Sequence, residues 1–519
     1  GEGLEVGPSL GMNKKILQTL EFDKMKQLLA QHIVTKLGEE HIQQLTPLND
    51  FDKIEEYLIE TKDGFDVLRL RGGIPIPVLE NIKPHMRRIE IGAMLNGLEL
   101  AQVGRVLRTV TELQNFFEDL RELEIELETL YEWSEKMIAL PELAKTIRIS
   151  VDEDGHVTDE ASSELKSIRQ SIRRSEQGVK DQLDSILRGG SSKYLSDTIV
   201  TMRNERYVIP VKSEYRGHFG GVVHDQSASG QTVFVEPRQV VELNNKLRQH
   251  QIAERKEIER ILAELSNELA PYRQEVLQNA FVIGKLDFIN AKAHFGKQIQ
   301  GVVPSLSQEK FVSLKEARHP LIDSDKVVAN DIIIGEAYQA IVITGPNTGG
   351  KTITLKTLGL LQLMGQSGLP IPAQEGSTIG VFSDIYADIG DEQSIEQNLS
   401  TFSSHMTNIV SILKSLDEDS LVLFDELGAG TDPQEGAALA ISILDQVGQT
   451  GAYVMATTHY PELKVYGYNR TGTINASMEF DVDTLSPTYR LLIGIPGRSN
   501  AFEISKRLGL STIIIDQAK

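Results

Sequence analysis

The chain contains no cysteine. Disulfide staples and thiolate-ligated metal centres are therefore excluded, which suits a reducing cytosol. Long hydrophobic runs are missing too. No charge-free apolar run approaches the ~18 residues a membrane span needs, and no signal-peptide pattern is visible. A soluble, cytoplasmic protein without membrane contact is expected. Positive charge is in short supply: 53 Lys and Arg face 74 Asp and Glu, a net charge of −21. Phosphate contacts dominate nucleic-acid affinity, so generic nucleic-acid binders are usually basic. Any such contact here must come from a local basic surface, and the acidity overall serves solubility. With 519 residues the chain outgrows a single core, and several domains are expected. The first eleven residues, Gly1 to Gly11, read as an expression-vector scar ahead of Met12 and are set aside.

The most informative segment is Gly345-Pro346-Asn347-Thr348-Gly349-Gly350-Lys351-Thr352, which reads G-x-x-x-x-G-K-T. It follows the apolar run Ala340–Ile343 and precedes a helical pattern from Ile353 to Leu361. Strand, glycine loop and helix are the context of a phosphate-binding loop, whose N–H groups cradle phosphate oxygens at a helix N-terminus. Lys351 would reach the β- and γ-phosphates, and the Thr352 hydroxyl would ligate Mg²⁺. A nucleoside triphosphate is the expected ligand.

Leu421-Val422-Leu423-Phe424-Asp425-Glu426 is an apolar strand ending in two acids. It would deliver Asp425 to the metal and Glu426 to the attacking water, which is what phosphoryl transfer needs. An acidic turn after a strand is common by itself; beside a phosphate loop it points to hydrolysis. The glycine-rich loop Leu427–Gly436 permits close approach of backbone or phosphate. Ala456-Thr457-Thr458-His459 ends another strand, and His459 is placed to sense the γ-phosphate or orient water. Ser400-Thr401-Phe402-Ser403-Ser404-His405-Met406 begins a helix, whose N-terminus is a second anion site.

The rest of the chain is organised around long helices. Residues 12 to about 130 read as a compact helical domain, with apolar spacing at Leu28, Leu29 and Ile33 and at Leu98, Leu100, Val103, Val106 and Leu107. The turn signals Gly72-Gly73-Ile74-Pro75-Ile76-Pro77 interrupt it. One long helix is expected from about Asp159 to Arg188, with a seam at Leu165, Ile168, Ile172, Val179, Leu183 and Ile186; a second is expected from about Pro237 to Asn267. Between them, residues 197–236 change character. Thr198–Met202 with Arg206–Val211, and Gly220–His224 with Gln231–Val235, read as two strand pairs. Arg188, Lys193, Arg203, Arg206, Lys212 and Arg216 give this β unit a modest basic surplus, which fits a solvated face as well as a nucleic-acid surface. Arg203 and Arg206 are the expected contacts if a nucleic acid docks there. From about Phe311 on, strands at 340–344, 421–424 and 453–457 alternate with helices, and a mainly parallel sheet covered on both faces is expected. The fold class is multidomain, α followed by α/β.

Taken together, G-P-N-T-G-G-K-T, S-T-F-S-S-H-M, L-F-D-E-L-G-A-G-T-D-P-Q-E-G and A-T-T-H-Y resemble the ABC-type ATPase of the MutS family. The resemblance extends to Ala317–Pro320, Val328–Asp331, Tyr489–Leu492 and the segment from Gly497 to Gly509, and the two helical arms with a β tip are similar to the family's lever and clamp. It implies a helical core over 12–130, lever helices over 131–300 with the clamp tip at about 197–236, and an ATPase domain over 301–519. Because the chain starts in the helical core and carries His405 where the repair branch usually has an acid, it resembles the bacterial type-two branch, and mismatch recognition is not expected. The resemblance further implies ATP and Mg²⁺ bound by Gly345 to Thr352, Asp425 at the metal, Glu426 as general base and His459 as switch histidine. Val327 and His319 would pack the adenine, and Ser400 would act in trans on a partner subunit's γ-phosphate in a homodimer. The implied targets are stalled or collided ribosomes and their rRNA, or branched DNA in recombination. Type-two members commonly continue into KOW and Smr nuclease domains, so endonuclease activity is not carried onto these residues. The alternative is an ABC-type ATPase of another class, such as a chromosome-structuring or mismatch-repair-like protein. A transporter subunit would read L-S-G-G-Q where Leu399-Ser400-Thr401-Phe402 stands, and chromosome-structuring proteins insert far longer arms than the stretch between Lys351 and Asp425.

Overall fold

Ala340–Thr344, Ser420–Phe424 and Tyr453–Thr458 are runs of apolar and β-branched residues buried almost without interruption. Successive side chains of a strand point to opposite faces, so a strand buried throughout needs cover on both sides. The computed structural model, which describes residues 12–346, 350–390, 399–495 and 501–519 apart from the side chains of 399, 400 and 501, supplies that cover. Ile341, Ile343, Leu421, Leu423 and Met455 enter one core, together with Leu355, Leu358 and Leu361 of the helix Lys351–Gln366. Val342, Val422, Phe424, Val454 and Ala456 enter another. There they meet Ile409 and Ile412 of Leu399–Ser415, Ala440 and Leu444 of Pro433–Thr450, and Leu463 of Glu462–Asn469.

The sheet has six strands, in the order Asp384–Asp388, Ser420–Phe424, Tyr453–Thr458, Ala340–Thr344, Thr473–Asp481 and Ser486–Ile493. The first five are parallel, and the last pairs antiparallel with Thr473–Asp481. The expected mainly parallel, doubly covered sheet is thus present. The antiparallel edge was not anticipated, nor was a separate four-stranded sheet of Ser305–Leu306, Thr378–Ile379, Val312–Ala317 and Asn330–Ile334. These strands are short or alternate irregularly, so their periodicity is weak. The parallel strands bring Gly345, Asp425 and His459, each just past a strand's C-terminal end, to one edge, where open α/β sheets bind ligands.

The described chain divides into two compact units, one of residues up to 78, 116–135 and from 282 on, the other of 79–115 and 136–281. The first contains the two sheets above. It also contains Phe22–Ala30 and Phe51–Arg71, the latter closed by Gly72 in the left-handed conformation. In the part of the helix Gly97–Glu122 that belongs to the second unit, Leu100, Val103, Val106 and Leu107 are fully buried, while Leu98 faces solvent because it falls off that stripe.

In the second unit, Ser163–Arg188 and Arg238–Leu269 are the two long helices. Ser162 caps the first through its hydroxyl, which accepts the Leu165 N–H. The helices run antiparallel, with Arg169 donating to Glu254 at 3.0 Å. A four-stranded antiparallel sheet joins them, in the order Thr201–Arg203, Arg206–Lys212, Thr232–Glu236 and Val222–Gln226. Val179, Leu183 and Val240 from the helices pack with Ile209, Val211, Val233 and Val235 from the sheet. Residues 198–200, expected as strand, lie outside it: pairing starts at Thr201 because the two-residue turn Asn204–Glu205, both at positive φ, fixes the register at Arg203 opposite Arg206.

Candidate active site at the sheet edge

The strand Ala340–Thr344 ends at Gly345, and Gly350 opens the helix Lys351–Gln366 at φ 92°. A Cβ on Gly350 would lie 3.1 Å from the Tyr489 ring and 3.2 Å from Met478, so only glycine suits both the backbone and the space. Asn347, Thr348 and Gly349 lie outside the described residues. Lys351 folds back along the loop, and its ammonium donates to the Gly345 carbonyl at 2.8 Å and the Thr458 carbonyl at 3.4 Å. It is buried, and that burial lowers its pKa against the opposing pull of Glu426 and Asp425. Lysine is thus a charge held in a dry place beside two carboxylates.

Asp425 is also buried, and each of its oxygens is held separately. The Thr352 hydroxyl donates to one at 2.7 Å, and the Thr457 hydroxyl donates to the other at 2.7 Å. Its backbone N–H donates to the Asp388 carbonyl at 2.9 Å. A hydroxyl and a carboxylate converging in this way are the hard oxygen donors that Mg²⁺ takes, so the residues present fit that ion. Glu426 follows at φ 47°, a left-handed conformation that is uncommon for a residue with a side chain. Its backbone N–H donates to the Thr457 hydroxyl at 2.8 Å. Thr457 therefore braces both acids at once, by giving its proton to Asp425 and accepting one from Glu426. Sequence reading passed over it; the available signal was a fully buried hydroxyl at the end of a core strand.

His459 is exposed at the end of the same strand, with its ring 4.4 Å from that of Tyr460. Partial burial of the ring first, and then the charge of Lys351, hold it below the usual imidazole range. The glycine-rich loop uses its glycines for contacts within the chain. A Cβ on Gly428 would lie 2.3 Å from the Gly436 carbonyl, and the Tyr460 hydroxyl donates to the Gly428 carbonyl at 2.7 Å.

The helix expected around Ser400 spans Leu399–Ser415, while the Ser400 side chain lies outside the described residues. On that helix His405 Nδ1 sits 2.9 Å from the Asp388 carboxylate, whose other oxygen accepts from the Asn408 amide at 2.9 Å. The Asp388 bond raises the His405 pKa. Asp388 also holds the Asp425 N–H, so His405 is joined to the acid pair through one residue.

A cavity of about 380 Å³ opens next to the loop. Val327, Val328, Ile353, Asn330 and Tyr489 line it, with Gly350 at its loop end. Val327 is where the base pocket was expected. His319 is not in that lining: it is buried, its Nδ1 accepts the Leu321 N–H at 3.2 Å, and burial pushes its pKa down to about 4. Tyr489, quoted only as part of a longer motif, supplies the aromatic wall. Asn330 fixes it by donating to its carbonyl at 3.0 Å and accepting the Leu491 N–H at 2.8 Å.

No helix among the described residues is long and apolar enough to cross a membrane. The family model for MutS domain V matches residues 341–519. The chain is 70% identical over 508 residues to a protein of Enterococcus faecalis named Endonuclease MutS2, covering 98% of this chain and 64% of that protein. Proteins of the same name from Latilactobacillus sakei and Listeria innocua are 63% and 58% identical, again over 98% of this chain and 64% and 65% of theirs. The chain thus spans somewhat under two thirds of the length of these relatives. These matches place the chain in the MutS family, in its type-two branch.

Proposed function

We propose that this chain is the motor of an ATP-hydrolysing dimeric clamp that acts on nucleic acid. The observation that carries the reading is the hydrogen-bond chain from Thr352 through Asp425 and Thr457 to Glu426, beside buried Lys351. ATP would place its base in the cavity lined by Val327 and Tyr489 and its phosphates over Gly345 to Thr352. Lys351 neutralises charge on the β- and γ-phosphates. Glu426 takes the proton of the water that attacks the γ-phosphorus, and the β–γ bridging oxygen leaves with the bonding electrons as ADP. Thr352 and Asp425 would hold Mg²⁺, which when bound spreads the developing charge. His459 orients the water from the neighbouring strand end. ABC-type architecture, with Ser400 acting across a homodimer, completes this reading, as does the division into a core (12–130), levers and clamp (131–300) and ATPase (301–519).

The target is a ribosome with its rRNA or a branched DNA, gripped by the helical arms. Binding of ATP closes the dimer, and hydrolysis releases it, a population shift driven by contacts made only with the γ-phosphate. The relatives are named endonucleases; the reading assigns no nuclease centre to these residues.

Two variants test the motor. Lys351→Ala abolishes ATP binding, read as loss of a fluorescent nucleotide's anisotropy. Glu426→Gln binds ATP but hydrolyses it at least about a hundredfold more slowly, and in ATP it elutes as a dimer and co-purifies with its target. Hydrolysis by Glu426→Gln at the wild-type rate would remove Glu426 as the base.

A further inference from the structure

The β tip separates its basic residues into two groups. Arg203 and Arg206, the first candidates for a nucleic-acid contact, are engaged within the protein. Arg203 pairs with Asp225 at 3.2 Å and lies 4.2 Å over the Phe234 ring, and Arg206 pairs at 3.0 Å with the buried carboxylate of Glu236. Lys193, Lys212 and Arg216 are exposed and have no carboxylate partner among the described residues. They flank a cluster of aromatic rings on two short 3₁₀ turns and the segment that follows, Gly190–Tyr194 and Ser213–His218. The Tyr194 ring lies 4.7 Å from that of Tyr215 and 4.0 Å from that of His218, with the Lys193 ammonium 5.1 Å from its centre.

This cluster is not part of the hydrophobic core of the tip, which is built from Val179, Leu183, Ile209, Val211, Val233 and Val235. Tyr215 is 40% exposed, and His218 faces solvent. Rings kept at the surface, with unpaired cations around them on a chain of net charge −21, match a ligand with flat apolar faces and a negative backbone. We propose that Tyr194, Tyr215 and His218, with Lys193, Lys212 and Arg216, form a stacking site for unpaired nucleotides of a single-stranded nucleic acid. The bases stack on the rings, and the three cations follow the phosphates. A duplex hides its base faces and cannot use the rings. The inference rests on the reading of the chain as acting on nucleic acid, and adds where contact is made and in what form.

The test is fluorescence anisotropy with the whole 519-residue chain and labelled oligo-rU and oligo-dT of about ten nucleotides, beside a duplex of the same length. The single strands bind more tightly than the duplex. A preference for rU or for dT identifies RNA or DNA as the source. Tyr215→Ala combined with His218→Ala weakens single-strand binding by about tenfold or more, whereas Tyr215→Phe, which keeps the π-face, binds like wild type. Lys212→Glu with Arg216→Glu reduces the slope of log affinity against log salt by roughly 1–2, a readout that survives if the ring variant folds poorly. The ATP hydrolysis rate is unchanged in all three. A duplex bound as tightly as the single strands, or ring and charge variants that bind like wild type, overturns this site and leaves the motor and the nucleic-acid reading standing. A wild-type chain that binds no nucleic acid of any form overturns both.

Discussion

Thr457 shows how much one buried hydroxyl can carry. It donates to Asp425 and accepts from the Glu426 N–H, so its removal leaves a buried carboxylate oxygen short of a partner and frees the backbone of a strained residue. Thr457→Val is expected to lower kcat for ATP by roughly tenfold to a hundredfold with little change in KM, and Thr457→Ser to restore most of it. Wild-type activity in Thr457→Val with loss in Thr457→Ser would show that the methyl group, not the hydroxyl, matters. His405 makes a prediction of a different kind. Its pKa is raised by Asp388, with Asp425 and Glu426 adding to the effect. A histidine with a raised folded pKa stabilises most below the unfolded value and loses that stabilisation as pH rises through the folded value. His405→Gln should therefore cost about 1 kcal/mol at pH 5.5 and nearly nothing at pH 9, measured as the difference in urea midpoint from wild type. A pH-independent difference would show that the ion pair contributes nothing.

At the level of elements, the tip sheet depends on a polar knot as well as its valines. Glu236 is buried and is held by Arg206 at 3.0 Å, by the Asn244 amide at 2.7 Å and by His224 at 3.3 Å. Removing one partner of a buried charge is costly, so Arg206→Glu is expected to destabilise the tip by about 3–5 kcal/mol. Limited proteolysis between residues 195 and 236 would report this, where a surface arginine would leave cleavage unchanged. Leu183→Ala, in the fully buried seam where helix meets sheet, should cost about 2–5 kcal/mol by leaving a cavity, whereas the same change at half-buried Ile172 costs much less. The seam is thus uneven: it is tight beside the sheet, and Ile168 and Ile172 stay partly open.

For the whole molecule, charge is the deciding quantity. A net −21 repels polyanions at long range, and the proposed cluster of rings and cations on the tip would offset this locally. Association with a single strand should accordingly quicken as salt screens the overall repulsion, even while equilibrium affinity falls through loss of phosphate contacts. Stopped-flow rates at two salt concentrations check this, and an on-rate that falls with salt would mean that the tip governs approach from afar. The proposed ATP site lies at a sheet edge, where strand ends converge and a loop can close over phosphate without breaking the core.

The sequence by itself determined the local chemistry. Spacing and strand–loop–helix context singled out Lys351, Thr352, Asp425 and Glu426, which the fold brings together, and apolar periodicity marked three core strands and two long helices to within a few residues. These are properties of neighbours along the chain, and hydrophobic pattern reports them directly. Only the tertiary structure decided which residues far apart in sequence meet. Thr457 reaches Asp425 because two parallel strands lie side by side in register, and Tyr489 reaches Gly350 because an antiparallel strand is added beyond the last parallel one. His319, read as a base contact, is instead buried against its own turn, and Arg203 and Arg206, read as ligand contacts, are paired within the sheet. A side chain's partner depends on which strand lies next to it and which face it occupies. Those are set by sheet order and packing, and no pattern along one segment encodes them.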